Sequence, residues 1–355
     1  MHKRFQRSSV ALALSLAIAL ALGAQIAQRV RAKTTTTTAS AATAGAALAA
    51  LPASDVIIFV DTQRLTSDAL PNFLAADPAL LARANAKLER LQKETGLDAH
   101  SVESMAIGLR LPTASAPGDM KVVSILHGSF VASELIEAGF AAAKRKENIG
   151  REEQVYEGKK IYVLASARDQ ADAAADGGSA PRTDRQRMAI AEMDANTVVV
   201  GDLESVRATL NPSHARVDQN LVDLATRTPN AFASFAGNLA PGTTRGFGFG
   251  NSKADKLAAS IRQIYGSVST TGTEAQTLLA ARTDNAEQAH DIAQAINGLK
   301  LLSKFGIGGR SGASRAEGEA ISKLINSLSV TSQNNEVEIK LNVAQADIAP
   351  LMRRF

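Results

Sequence analysis

The 355-residue sequence contains no cysteine and no tryptophan, and aromatic residues make up only 4% of it. The missing thiols exclude disulfides, thiolate-bound zinc, iron-sulfur clusters, cysteine nucleophiles and a lipid-modified cysteine. Any exported form must therefore be held by packing alone. The scarcity of aromatics argues against a stacking platform for sugars or single-stranded nucleic acid. With 10 prolines, 25 glycines and 21% charged residues, neither a collagen-like nor a wholly disordered chain fits. What is abundant is alanine, 66 of the 355 residues. The larger apolar residues still suffice for a real core, and the length suits two ordinary domains.

The overall basicity, a net charge of +4, is confined to the start of the chain. Residues 1–32 hold Lys3, Arg4, Arg7, Arg29 and Arg31 and no acid, which leaves 34 basic against 35 acidic residues elsewhere. A nucleic-acid partner is therefore not expected. The richest remaining cluster, Lys144 to Lys160, interleaves basic residues with Glu147, Glu152, Glu153 and Glu157 and reads as a solvated helix end and loop.

Lys3, Arg4 and Arg7 are followed by Val10 to Leu22, thirteen residues with only Ser15 polar. That is the pattern of a secretory signal. The uncharged stretch from Ser8 to Gln28 is also long enough to cross a bilayer as a retained anchor. Residues 1–32 are thus a signal peptide or membrane anchor, with possible membrane association through residues 8–28 and the body outside the cytoplasm, either periplasmic or secreted or held at the inner membrane. Residues 33–50 (KTTTTTASAATAGAALAA) read as a low-complexity tether.

Folded structure is expected from Leu51. Val56 to Val60 reads as a buried strand, and Asp77-Pro78 caps a helix with Leu81, Ala84, Leu88 and Leu91 on one face, ended by Gly96. Strands follow at Ser104 to Leu111 and Lys121 to Leu126, then a helix over Ala132 to Lys144. Three more strands are expected at Ile161 to Leu164, Met188 to Met193 and Thr197 to Val200, with Asp202 capping a short helix to Leu210. The second half repeats this order. Ala231 to Phe235 is a strand, Ser252 caps a helix with Leu257, Ile261 and Ile264, and strands follow at Ser267 to Thr271 and Ala275 to Ala281. Asp284 caps a helix whose inner stripe is Ala289, Ile292, Ala293, Ile296 and Leu299.

Near the end, Glu336 to Val343 alternates strictly, so Val337, Ile339, Leu341 and Val343 share one face while Glu336, Glu338 and Lys340 face solvent. Asn334-Asn335 and Asp194-Ala195-Asn196 supply tight hairpin turns, and each hairpin leads into a short helix, the second over Ala346 to Met352. The fold expected is α+β: two similar β-α-β-β-α-β-β-α units with largely antiparallel sheets after the N-terminal signal or anchor helix. The first unit spans 51–211, a connector 212–228 and the second unit 229–352.

Arg168 to Arg187 and Gly306 to Gly318 read as loops. The second of these lacks the third glycine of a dinucleotide fingerprint, has no Gly-Lys-Ser/Thr, and misses the nucleophile-elbow pattern. Gly246 to Gly250 (GFGFG) reads as a glycine turn with both rings inward. The five histidines, His2, His100, His127, His214 and His290, are dispersed and form no His-Glu-x-x-His. His290 beside Asp291 reads as a solvent-facing helical pair, and Asp61 and Asp202 as turn or cap carboxylates. No catalytic residue, metal ligand or cofactor is indicated, and the binding residues are not readable.

Leu51-Pro52-Ala53-Ser54-Asp55 with Val60-Asp61, Thr95-Gly96-Leu97-Asp98, Tyr156-Glu-Gly158-Lys159 and Gly201-Asp202 together resemble a group of uncharacterised exported bacterial proteins with an Ala-rich tether and a duplicated α+β body. The resemblance implies no activity or cofactor, and the Arg168 to Arg187 insertion departs from it. The function expected is that of an exported, non-enzymatic envelope or periplasmic protein with a binding or scaffolding role, its partner an envelope protein. The alternatives are a carrier of a small apolar ligand in an inter-lobe cleft and a hydrolase with a dispersed active site.

Overall fold

A computed structural model of the chain describes residues 37–75, 77–95, 98–112, 120–147, 150–165, 187–240, 252–271, 274–302 and 323–344. The signal or anchor segment, Gly96, Gly246 to Gly250, Gly306 to Gly318, the helix expected over Ala346 to Met352 and all of the insertion except Arg187 lie outside those residues.

The chain is α+β. Helix α1 (Thr37–Ala49) precedes β1 (Val56–Asp61), which runs into α2, a helical run of Thr62–Arg64, a π-helical segment Leu65–Ala69 and Leu70–Leu74. Then come α3 (Pro78–Thr95), β2 (Val102–Arg110), β3 (Lys121–Gly128), α4 (Ala132–Glu147) and the strands β4 (Gly150–Tyr156), β5 (Lys159–Ala165), β6 (Met188–Asp194) and β7 (Thr197–Asp202). Helices α5 (Leu203–Leu210) and α6 (Gln219–Ala225) lead to β8 (Ala231–Asn238), α7 (Ser252–Ala259), β9 (Ile261–Thr271), β10 (Glu274–Thr283), α8 (Ala286–Leu302), β11 (Leu328–Gln333) and β12 (Glu336–Ala344).

All twelve strands form one sheet in the order β11-β12-β10-β9-β8-β1-β2-β3-β7-β6-β5-β4. Every neighbouring pair is antiparallel. Read outward from the centre, the halves follow the same path, β1-β2-β3-β7-β6 on one side and β8-β9-β10-β12-β11 on the other. The two halves thus share one sheet and one strand path. Their first strands pair at the seam, from Val56 opposite Gly237 to Val60 opposite Ala233. The first half adds the β4–β5 hairpin at its outer edge.

One face of the sheet, here face A, carries Ile57 and Phe59 of β1, Ala106 of β2, Val123 and Ile125 of β3, Val199 of β7 and Ala189 and Ala191 of β6. These pack with Leu48 of α1, Leu203, Val206 and Leu210 of α5, and Leu221, Val222 and Leu224 of α6 in the largest core cluster. On face B, Ile136 and Phe140 of α4 pack with Val198, Tyr162 and Ile190. In the second half Ala289 and Ala293 of α8 close over Val337 and Val330 on that same face. Also on face B, a Cβ on Gly266 would lie 2.7 Å from the Phe235 ring, so only glycine lets that ring lie against the strand.

Several expectations are corrected. Residues 33–50 are not a tether throughout, because Thr37–Ala49 is helical and Ala44, Leu48 and Leu51 are buried in the core. Alanine is the strongest helix former, and a spacing of four puts Ala44 and Leu48 on one face, with Leu51 just past the helix end. The connector 212–228 contains α6, whose Leu221, Val222, Leu224 and Ala225 are buried. Arg216 ties the two corrections together. Its guanidinium donates to the carbonyls of Ala50 at 3.0 Å, Thr209 at 3.1 Å and Asn211 at 3.1 Å, capping α1 and α5 at their negative ends.

Lys144 to Lys160 is not helix end and loop throughout. It holds β4 and a tight turn in which Glu157 (φ 50) and Gly158 (φ 73) both take positive φ. Ile261 and Ile264 belong to β9 rather than to the preceding helix. Asn285, not Asp284, accepts the first-turn amide of α8, from Gln288 at 3.0 Å, while Asp284 pairs with Arg262 at 2.7 Å. Leu299 is exposed rather than inward.

Other expectations hold. Asp77 caps α3 through the amide of Leu80 at 3.1 Å, and Asp202 caps α5 through that of Ser205 at 2.9 Å. Asn334 turns the last hairpin at φ 52.

Candidate functional site

The residues singled out by chemistry do not converge. His127 contacts the Thr197 hydroxyl at 3.0 Å at the end of β3, His214 is exposed beside the Ala215 carbonyl, and His290 contacts Gln294 at 2.8 Å along α8. Asp61 accepts the amide of Arg64 at 2.8 Å, and Asp202 also accepts that of Val122 at 3.1 Å, so both are cap carboxylates. Among the described residues no three His, Asp or Glu are placed to hold a metal ion. A shallow cavity of about 30 Å³ lined by Ser54, Arg110, Lys121, Glu204 and His214 has room for about one water and not for an organic ligand. Its Lys121 is paired with Glu204 at 2.6 Å.

A connected cluster of charge lies on face A of the second half. There most strand residues are polar: Gln263, Tyr265, Ser267 and Ser269 on β9, Gln276 and Arg282 on β10, Glu336, Glu338, Lys340 and Asn342 on β12, and Ser329, Thr331 and Gln333 on β11, while Leu278 and Ala280 of β10 are apolar and join the main core cluster. Among the described residues, α6 packs on β8, β1 and β9, its core cluster extends to Leu278 and Ala280 of β10, and no core cluster covers this face of β12 or β11. Gln276, Ser329, Thr331, Gln333, Lys340 and Asn342 are exposed.

At the centre of this surface is Tyr265, 1% exposed, with the guanidinium of Arg227 5.3 Å and that of Arg282 5.8 Å from its ring centroid. Arg227, just past α6, donates to the Tyr265 hydroxyl and to Glu336 Oε1 at 2.9 Å, and lies 3.4 Å from Glu338. Arg282 Nε donates to Glu336 Oε2 at 2.7 Å, and Lys340 reaches Glu338 at 2.8 Å. Arg282 also donates to Gln263 at 3.3 Å, which in turn donates to Asn220 at 3.0 Å and Asn238 at 2.8 Å.

Burial pushes the Glu336 carboxyl up, but the hydrogen bonds from Arg282, Tyr265 and Arg227 outweigh it and hold the group below the usual carboxylate range. Burial, and then the neighbouring Glu336 carboxylate, push the Tyr265 hydroxyl well above its ordinary value. Both shifts favour the same arrangement, a protonated phenol beside an ionised carboxylate. Glu336 and Glu338 were expected in solvent; they are instead 16% and 20% exposed and ion-paired. The alternation of β12 signalled their face correctly. Arg227 and Tyr265, 38 residues apart, gave no local signal that they would meet them.

No protein-family model matches the chain, and no curated protein matches it. Among solved structures it is similar to TP0453. Crystal form IV of that protein aligns with a TM-score of 0.43 at 8% identity, covering 86% of this chain and 95% of that one. Form III gives 0.42 at 8% identity over 87% and 98%, and form I gives 0.40 at 6% over 86% and 96%. Likeness at this level says nothing about function. Among the described residues no helix is long and apolar enough to cross a membrane.

Proposed function

We propose that the protein is exported and acts as a non-enzymatic binding or scaffolding component of the cell envelope, with face A of its second half as the recognition surface. The leader, Lys3, Arg4 and Arg7 before the apolar Val10 to Leu22, supports export. The observation that carries the binding role is an exposed polar face whose arginines and glutamates are already paired on a sheet. Side chains held this way lose little further freedom when a partner docks, so polar contacts cost less to form. The mixed signs at Arg227, Lys340 and Glu338 suit a polar protein surface rather than an apolar ligand.

The test has two arms. A reporter enzyme active only outside the cytoplasm, fused after Phe355, is expected to work, and activity of a cytosolic reporter alone would contradict export. A photoreactive side chain at Gln276 or Thr331 is expected to give discrete adducts with an envelope protein in intact cells. The same group at Val155, 72% exposed on the far edge, is expected to give none. Adducts at Val155 alone would place recognition elsewhere.

A further inference from the structure

The two edges of the sheet are built differently. Edge strand β4 is GREEQVY, with Arg151 paired to Glu137 at 2.5 Å, Glu152 paired to Arg187 and Glu153 paired to Lys160 at 2.8 Å. Charges on an edge strand discourage another strand from pairing with it. Edge strand β11 is LSVTSQ, with no charge, proline or glycine, and it runs beside β12 through six consecutive residue pairs without a bulge. Among the described residues its other side has no neighbouring strand. A straight, uncharged, β-branched edge is a template for a further strand.

We propose that β11 is a self-association surface, pairing antiparallel with β11 of a second copy of this chain about a two-fold axis perpendicular to the sheet. Such an axis keeps face A on the same side in both copies, so only residues of one face can oppose each other. Two central registers then remain, one on Val330 and one on Thr331, and face B chooses between them. Leu279, Ile339 and Val330 already lie in one line across β10, β12 and β11, so centring on Val330 joins two apolar rows, whereas centring on Thr331 sets Val330 against the partner subunit's Ser332. The charges of β12 agree with this choice but add little, because they lie about 14 Å apart across three strand spacings. With Ser329 opposite Lys340 and Thr331 opposite Glu338, the Val330 register runs from Lys340 to the partner subunit's Glu338, and the Thr331 register runs from Glu338 to the partner subunit's Glu338. Opposed β-branched residues on one face favour strand pairing.

The absence of native cysteine makes the test clean. In the full chain, solubilised in mild detergent, Val330→Cys is expected to be joined into a covalent dimer by a short bismaleimide. Because Val330 is half-buried beneath α8 and Val155 is exposed, each cross-linking rate is divided by the rate of labelling with a monofunctional maleimide, and the ratio at 330 should exceed that of Val155→Cys on the opposite edge by about tenfold or more, since pairing raises the local thiol concentration. Adding Ser329→Lys and Thr331→Lys, which meet across the proposed axis at exposed positions, is expected to abolish the Val330→Cys product while circular dichroism and the melting midpoint hold. Equal ratios at 330 and 155 would overturn the proposal. So would persistence of the dimer in the double-lysine variant, which would move association to the apolar leader or another surface, and so would a monomer that binds an extended peptide along β11 instead.

Discussion

The two halves of the sheet share a strand path and differ in what lies on face A. In the first half Ala106, Val123, Ile125, Val199, Ala189 and Ala191 are buried in the core with α1 and α5, while α6 lies over β1, β8 and β9 at the seam. In the second half Tyr265 and Ala280 still join that core, and the strands beyond them present Arg282, Glu336, Glu338 and Lys340. The first half buries this face, and the second leaves its outer part open. The same sheet geometry thus serves as core or as solvent-facing surface depending on whether every second residue is apolar or polar.

Substitutions at the sealed half should do the most damage. Leu48 is fully buried, so Leu48→Asp places an unpaired carboxylate in the core and is expected to cost at least about 3 kcal/mol in chemical denaturation. An unchanged midpoint would return α1 to the status of a tether. Arg216→Ala removes the donors that cap α1 and α5 and is expected to cost about 2 kcal/mol, since bonds to charged groups are worth more than neutral ones. A shift indistinguishable from zero would mean that those carbonyls are satisfied without it.

At the open half the effects should be smaller and dependent on pH. Glu336→Gln removes the charge shared by Arg227 and Arg282 and is expected to cost about 1–2 kcal/mol at neutral pH. Because the folded-state carboxyl is depressed below its ordinary value of 4.5, the unfolded chain binds the extra proton first. Its stabilisation is therefore complete above that value and is lost as pH falls through the depressed one. The gap between wild type and Glu336→Gln should close on acidification below 4.5, and a gap constant with pH would contradict the linkage. Lys340→Ala removes a rim partner whose side chain is 59% exposed and should stay within about 0.5 kcal/mol.

How legible this contrast is in the sequence depends on how local its causes are. The alternation from Glu336 to Val343 is visible because strand geometry writes it every second residue, and Asp77 and Asp202 are visible because caps are local. The pairing of β1 with β8 is not, because both strands read as apolar runs and nothing local says which neighbour each will take. Helix α1 hides in a run of threonine and alanine that resembles a linker, and its burial shows only once Arg216, 166 residues away, closes on Ala50. Strand β4 hides behind its charges, which guard an edge rather than mark a loop. The ionic cluster needs Arg227, Tyr265, Arg282 and Glu336 from four separate segments, so composition and spacing cannot announce it.

The measurement that bears most directly on this contrast is thiol labelling in the cysteine-free chain. Strands β3 and β10 occupy the same place in the two halves; Ile125 is 4% exposed on face A of the first, and Gln276 is exposed on face A of the second. With a maleimide under native conditions, Gln276→Cys is expected to react at the rate of a free thiol. Ile125→Cys should react on the order of a hundredfold more slowly, through opening alone, and the two rates should converge in denaturant. Equal native rates, whether both fast or both slow, would mean that the two halves do not divide into a sealed face and an open one.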